Sequence, residues 1–225
     1  GKANENPMHS KEVYIMHSAK EINSFIKAVT DIVTQNKVGP DFYRDRCGEP
    51  TFVPRTYQAD MISNATTILS RSNRVLLNVS TRAGKSYISL KICKELDAKN
   101  ILILTPFPKA EDSFRRLSER NMEFSGYKYT HLNVKTDKSS LCDKNIIFCS
   151  YQFYDTDKQI VKDTLSSIHF DVVILDECHN TSDSSRTENV ILNNIKYDKI
   201  VYMSGTPFND IYSGYFNKDE VVTFD

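Results

Sequence analysis

The sequence predicts an α/β protein: a doubly wound, mostly parallel sheet behind a helical N-terminal extension. Three observations carry this. Five short runs, VLLNV (75–79), ILIL (101–104), IIFC (146–149), VVIL (172–175) and IVYM (200–203), are apolar in succession, as strands covered on both faces are. Helix-like segments lie between them: from Ser86 onward Ile88, Ile92 and Leu96 share one face, and 108–122 and 153–168 hold others. Strands alternating with helices make a parallel sheet with crossover helices the economical arrangement. The third observation is length: 225 residues suffice for one large domain with a sizeable core.

Two helices are expected ahead of the first strand. Ser18-Ala-Lys-Glu21 is a capping-box pattern, and Ile22, Phe25, Ile26, Val29 and Val33 follow at helical spacing, so 18–36 reads as an amphipathic helix. The stretch KVGPDFYRDRCGEPTFVP (37–54) is polar and interrupted by glycine and proline, hence a connection. Residues 1–50 are therefore taken as an extension and linker, and 51–225 as the main domain. Arg55 to Leu69 reads as the second helix, with Met61, Ile62, Ala65, Ile68 and Leu69 on its buried side.

Composition narrows the function classes. Lys plus Arg equals Asp plus Glu at 29 each, so no charge footprint for nucleic acid covers the whole chain, although a local basic groove remains compatible. The five cysteines, Cys47, Cys93, Cys142, Cys149 and Cys178, are odd in number and form no C-x-x-C pair. A disulfide framework or zinc site is not expected, and a reducing, cytoplasmic setting is. No apolar run approaches a membrane span, and GKANENPMHSKEVY is too polar for a secretory signal.

Ligands of doubly wound sheets bind outside the carboxyl ends of the strands, and three strand ends carry suggestive residues. The first is NVSTRAGKSYISL (78–90). Gly84-Lys85-Ser86 fits the close of the phosphate-loop pattern G-x-x-x-x-G-K-[ST], in a strand–loop–helix context. Val79 takes the place of the first glycine, and Arg82 stands where many such loops carry another. Free N–H groups and the dipole at the helix start draw an anion. Thr81, Arg82, Ala83 and Gly84 would wrap the phosphates, Lys85 reach the β- and γ-phosphates, and Ser86 ligate Mg²⁺. Alone, the stretch favours phosphate binding over the alternative of a strand-to-helix turn with a solvated lysine.

The second end is FDVVILDECHN (170–180), where a buried strand runs into Asp176-Glu177-Cys178-His179. Adjacent carboxylates there call for a cation: Asp176 would hold Mg²⁺, and Glu177 orient or deprotonate an attacking water. The third is IVYMSGTPFND (200–210), where the hydroxyls of Ser204 and Thr206 could bond those carboxylates and report their state, though S-G-T-P is also a good turn.

With these three stretches the chain resembles the first RecA-like domain of the superfamily 2 helicases and translocases, which are P-loop NTPases. STRAGKS corresponds to motif I, DECH to the DEAD/DEAH-type box, and SGTP to motif III. RTYQADMI (55–62) is similar to the R-x-Y-Q element, which implies that Gln58 reads adenine while Arg55 or Tyr57 supports or stacks on the base. LTPFPKAEDSFRRL (104–117) occupies the place of motif Ia, and IIFCSYQFY (146–154) that of a later strand end contacting nucleic acid. The resemblance thereby implies a nucleic-acid surface of Thr105, Lys109, Ser150, Tyr151 and Gln152, joined by Arg115 and Arg116, unless the two arginines only balance Glu111, Asp112 and Glu119.

It further implies ATP and Mg²⁺ as cofactors, His179 with Ser204 and Thr206 as coupling residues, and DNA rather than RNA as partner. DECH, SYQ and SGTPF look most like the restriction-enzyme motor and phage helicase branch. Such motors close the ATP site against a second RecA-like domain that supplies an arginine finger. No second set of strands follows here, so the chain is expected to be part of a longer motor and a poor hydrolase alone. Two other readings stay open: a viral DNA-packaging terminase-type ATPase, and a nucleotide-gated switch without nucleic acid.

Overall fold

The computed structural model describes residues 53–80, 83–133, 136, 141–155, 159–176, 189–205 and 215–223. In chain order these form α1 (Thr56–Leu69), β1 (Arg74–Asn78), α2 (Lys85–Glu95), β2 (Asn100–Thr105), α3 (Glu111–Arg120), β3 (Lys128–His131), β4 (Asn145–Ser150), α4 (Tyr151–Asp155), α5 (Gln159–Ser167), β5 (His169–Asp176), β6 (Lys196–Ser204) and β7 (Val221–Thr223). The helix expected over 18–36 lies outside the described residues. No described helix is long and apolar enough to cross a membrane.

All seven strands join one sheet in the order β3-β4-β2-β5-β6-β1-β7, and every pairing is parallel. The five expected strands are its interior. Period-two alternation sends successive side chains to opposite faces, and both faces are covered. Val75, Leu77, Ile101, Ile103, Ile174 and Met203 pack into one layer with Met61 of α1, Ile88 and Ile92 of α2, and Phe114 of α3. Leu76, Leu102, Leu104, Leu175 and Tyr202 pack into the other, with Tyr154 of α4, Val161 and Leu165 of α5, and Ile191. This two-sided burial is the reason those strands read as unbroken apolar runs.

Two strands were not expected. β3 is KYTH, with exposed ends and a half-buried middle, and β7 is three residues long with one buried. Both are edge strands, and neither carries an apolar run.

On α1 the five residues expected to be buried are buried. Lys199 of β6 donates to the Leu69 carbonyl at 2.6 Å, placing a cation at the helix C-terminus, where the dipole favours it. Cys93 and Cys149 lie in the core; burial pushes the Cys149 thiol up to about 12, so it stays protonated and packs as a small hydrophobe.

The edge strand β7 is held by one ion pair. Arg74 of β1 donates from Nε and Nη2 to the two Glu220 oxygens at 2.8 and 3.0 Å, and its guanidinium lies over the rings of Tyr215 and Phe216. The Asn217 N–H also donates to Glu220, at 2.9 Å. The Arg74 bond, ahead of an opposing burial cost, and the Asn217 N–H hold the Glu220 carboxyl below its usual range.

A carboxylate with a depressed folded pKa stabilises fully above its unfolded pKa and loses that contribution as pH falls through the folded one. Glu220→Gln should therefore cost about 1–2 kcal/mol at neutral pH, measured by urea unfolding. The gap from wild type should narrow on acidification below about pH 4; a pH-independent gap would assign the loss to packing.

Candidate nucleotide-binding site

The parallel sheet puts every strand's carboxyl end on one edge. Three neighbours there, β1, β6 and β5, carry the stretches that the sequence singled out. Asn78 is opposite Ser204, and Asp176 is opposite Met203. The chain leaving β1 enters α2 on one face, while Ile191, downstream of β5, packs on the other. In doubly wound sheets this is the edge at which ligands bind.

The loop after β1 is shaped by its neighbours. Val79 is buried, and its N–H donates to the Ser204 carbonyl at 3.0 Å. It is thus an extension of the strand pairing, and no positive φ is required of it: among described residues only Asp97 and Gly84 have one. That accounts for a valine in the place of the first glycine. Gly84 does need its freedom. It caps α2 at φ +90°, and a Cβ there would lie 2.6 Å from Gln58 Nε2. The N–H groups of Lys85, Ser86 and Tyr87 lie at the N-terminal end of α2, where the helix dipole favours an anion.

Lys85 crosses towards β6: a Cβ built on Gly205 would be 3.8 Å from its Nζ and 3.7 Å from the Val79 carbonyl. Ser86 Oγ lies 2.9 Å from Ser113 Oγ, which itself donates to the Ala110 carbonyl at 2.9 Å. A hydroxyl has one proton and two lone pairs. With Ser113's proton committed to Ala110, Ser86 donates to Ser113 and keeps both lone pairs for a cation. Ser113 was not singled out in the sequence. Asp176 ends β5 at 8 % exposure beside the fully buried Ser204. A buried carboxylate on this edge, an ammonium reaching across it and a hydroxyl with open lone pairs fit a triphosphate with its divalent cation.

On α1, Gln58 Oε1 accepts from the Arg55 N–H at 3.0 Å, while Gln58 Nε2 and the Tyr57 hydroxyl both donate to the Ala83 carbonyl, at 3.0 and 2.9 Å. Arg55 Nη1 makes a long 3.5 Å contact to the Tyr57 oxygen. Tyr57 and Gln58 therefore sit against the loop, with Arg55 bonded to both of them. Thr81, Arg82, Glu177, Cys178, His179 and Thr206 lie outside the described residues.

The residues expected to contact nucleic acid divide in two. Lys109 and Gln152 are exposed, but Thr105, Ser150 and Tyr151 are buried. Thr105 Oγ1 accepts from the Phe107 N–H at 3.1 Å, and Ser150 Oγ from the Phe153 N–H at 3.3 Å. Their hydroxyls shape turns rather than face solvent. The turn at Thr105 instead presents Phe107, 55 % exposed between Pro106 and Pro108, a residue the sequence reading passed over. Arg115 pairs with Asp112 at 3.0 Å on an exposed helix face, as the balancing reading of that face expects.

Residues 51–209 match the family described as "Type III restriction enzyme, res subunit". The chain belongs to this family. It is thus a RecA-like ATPase domain of the superfamily 2 helicase and restriction-enzyme motors. A curated relative from Mycoplasma pneumoniae, a putative type II restriction enzyme and methyltransferase C-terminus, is 25% identical over 68% of this chain and 28% of its own length.

Solved structures share the fold. The T4 bacteriophage UvsW helicase superposes with a TM-score of 0.55 at 19% identity, covering 92% of this chain and 77% of that one. The Sulfolobus solfataricus SWI2/SNF2 ATPase core in complex with dsDNA gives 0.56 at 18%, covering 75% and 34%. The type ISP restriction-modification enzyme LlaBIII bound to DNA gives 0.56 at 19%, covering 71% and 13%. The chain thus spans under a third of the length of its curated relative.

Gly84→Ala tests the loop geometry. A left-handed residue other than glycine costs about 1–2 kcal/mol, and the added methyl displaces Gln58. Global unfolding should shift by at least that amount, since the Gln58 clash adds to it, while affinity for an ATP analogue should fall by about tenfold or more in an equilibrium titration.

Proposed function

We propose that this superfamily 2 domain is the ATP–Mg²⁺-binding half of a DNA-dependent motor. The observation that carries the reading is the convergence of Gly84-Lys85-Ser86, Asp176 and Ser204-Gly205 on adjacent strand ends, with the Lys85 ammonium laid across to β6. In this reading α2's first N–H groups and Lys85 hold the phosphates. Ser86 and Asp176 hold the cation, which neutralises charge developing on the transferred phosphoryl group. Glu177 orients the attacking water, His179, Ser204 and Thr206 couple the site to the track, and Gln58 contacts the adenine edge. The remaining N–H of its amide and a lone pair on its oxygen suit that task.

The family match favours the restriction-enzyme branch over the packaging-terminase alternative. DNA as partner is supported by the DNA-bound structures of similar fold. On this chain the track would run over the carboxyl edge near Phe107, Lys109 and Gln152, where backbone groups and Lys109 meet phosphates and Phe107 offers a face for a base or sugar. Hydrolysis at a useful rate would need a second RecA-like domain with an arginine finger.

Titration with a fluorescent ATP analogue and Mg²⁺ tests the site. Lys85→Ala should bind roughly 10- to 100-fold more weakly, the worth of a charge-assisted bond. Asp176→Asn should lose the Mg²⁺ dependence of binding. Wild-type affinity in the lysine variant would contradict the assignment.

The track has its own readout, anisotropy of labelled single-stranded DNA. Phe107→Ala should weaken binding by about 1–3 kcal/mol if the ring stacks on a base. An unchanged affinity would move the track off this turn.

A further inference from the structure

The Tyr57 hydroxyl donates to the Ala83 carbonyl at 2.9 Å across 26 positions of sequence, and Gln58 Nε2 donates to the same oxygen at 3.0 Å. Two donors on one carbonyl fix a peptide plane. In a planar trans peptide the C=O of one residue and the N–H of the next point in opposite directions. Holding the Ala83 oxygen towards α1 therefore turns the Gly84 N–H away from α1, to the other side of the loop.

This plane needs holding. Gly84 caps α2 at φ +90°, and glycine populates both signs of φ with little penalty. The residue that permits the turn also permits the 83–84 peptide to flip, which would swing a carbonyl oxygen to where an anion is to bind. Gln58 is 4 % exposed, and its amide is braced at the other end by the Arg55 N–H. The Arg55 guanidinium lies 3.5 Å from the Tyr57 oxygen as a donor, which leaves the phenol's proton to point at Ala83.

We infer that Tyr57 is a positioning residue for the phosphate loop, acting through its hydroxyl on the Ala83–Gly84 peptide, and that its effect is blind to the nucleobase. This differs from a stacking role on adenine, which would use the ring and not the hydroxyl. The inference rests on the nucleotide-site reading above and adds to it a division of labour: Tyr57 sets the loop for phosphates, and base selection lies elsewhere.

Tyr57→Phe keeps the ring and removes only the donor. Wild type and variant are titrated with ATP, GTP and inorganic tripolyphosphate, each with Mg²⁺, and thermal unfolding checks that both are folded. The variant should lose affinity for all three by the same factor, roughly 2- to 12-fold, the worth of one neutral hydrogen bond. The ATP-to-GTP ratio should not change.

A ligand-free readout is the Ala83 carbonyl ¹³C resonance, which should move in Tyr57→Phe. Unchanged affinities, an unmoved resonance, or a loss confined to ATP and GTP with tripolyphosphate unaffected would each overturn the inference. Failure of wild type to bind any of the three ligands would overturn the site itself, and with it this role for Tyr57.

Discussion

Everything at the candidate site depends on the parallel pairing of β6 with both β1 and β5. Two registers, Asn78 with Ser204 and Asp176 with Met203, bring together stretches far apart in sequence. A shift of one residue in either would turn the buried faces of those strands inside out, because alternate side chains feed the two opposite layers of core. The apolar packing that stabilises the sheet thereby also fixes where Lys85 and Asp176 stand relative to each other. The chemistry inherits its accuracy from the core.

Rigidity at the strand ends is passed on through small polar contacts. The Val79 N–H bonded to Ser204 carries the β1–β6 pairing one residue past the strand. Ser86 bonded to Ser113 ties the start of α2 to the start of α3. Gln58 and Tyr57 bring α1 onto the same loop. Three helices in one layer therefore converge on a glycine that alone would be free to move. Such support is what a site needs if its donors are to be aimed before the ligand arrives.

The interior of the fold was legible because burial on both faces leaves a simple trace: β1, β2, β4, β5 and β6 are runs of apolar residues with almost no interruption. β3 and β7 left no such trace, since an edge strand has one neighbour and a half-wet surface. Their existence follows from β4 and β1 having edges to cover, which is tertiary information. Gly84 was legible because only glycine suits its backbone.

Tyr57 was harder. Its type fits stacking as well as hydrogen bonding, and its bond to the Ala83 carbonyl involves a residue 26 positions away. The hydroxyls of Thr105 and Ser150 looked exposed in sequence, but both residues are buried and accept N–H groups of the following turns. The exposed ring of Phe107 drew no notice in the sequence, because nothing local distinguishes it from a phenylalanine of the core.

The most direct test of the central claim is a crystal structure of this chain with a non-hydrolysable ATP analogue and Mn²⁺, located by its anomalous signal. The account predicts the triphosphate against the N–H groups of Gly84, Lys85 and Ser86, with a manganese peak at bonding distance from Ser86 Oγ on the side of Asp176. A nucleotide bound elsewhere, or a metal peak remote from both Ser86 and Asp176, would contradict it.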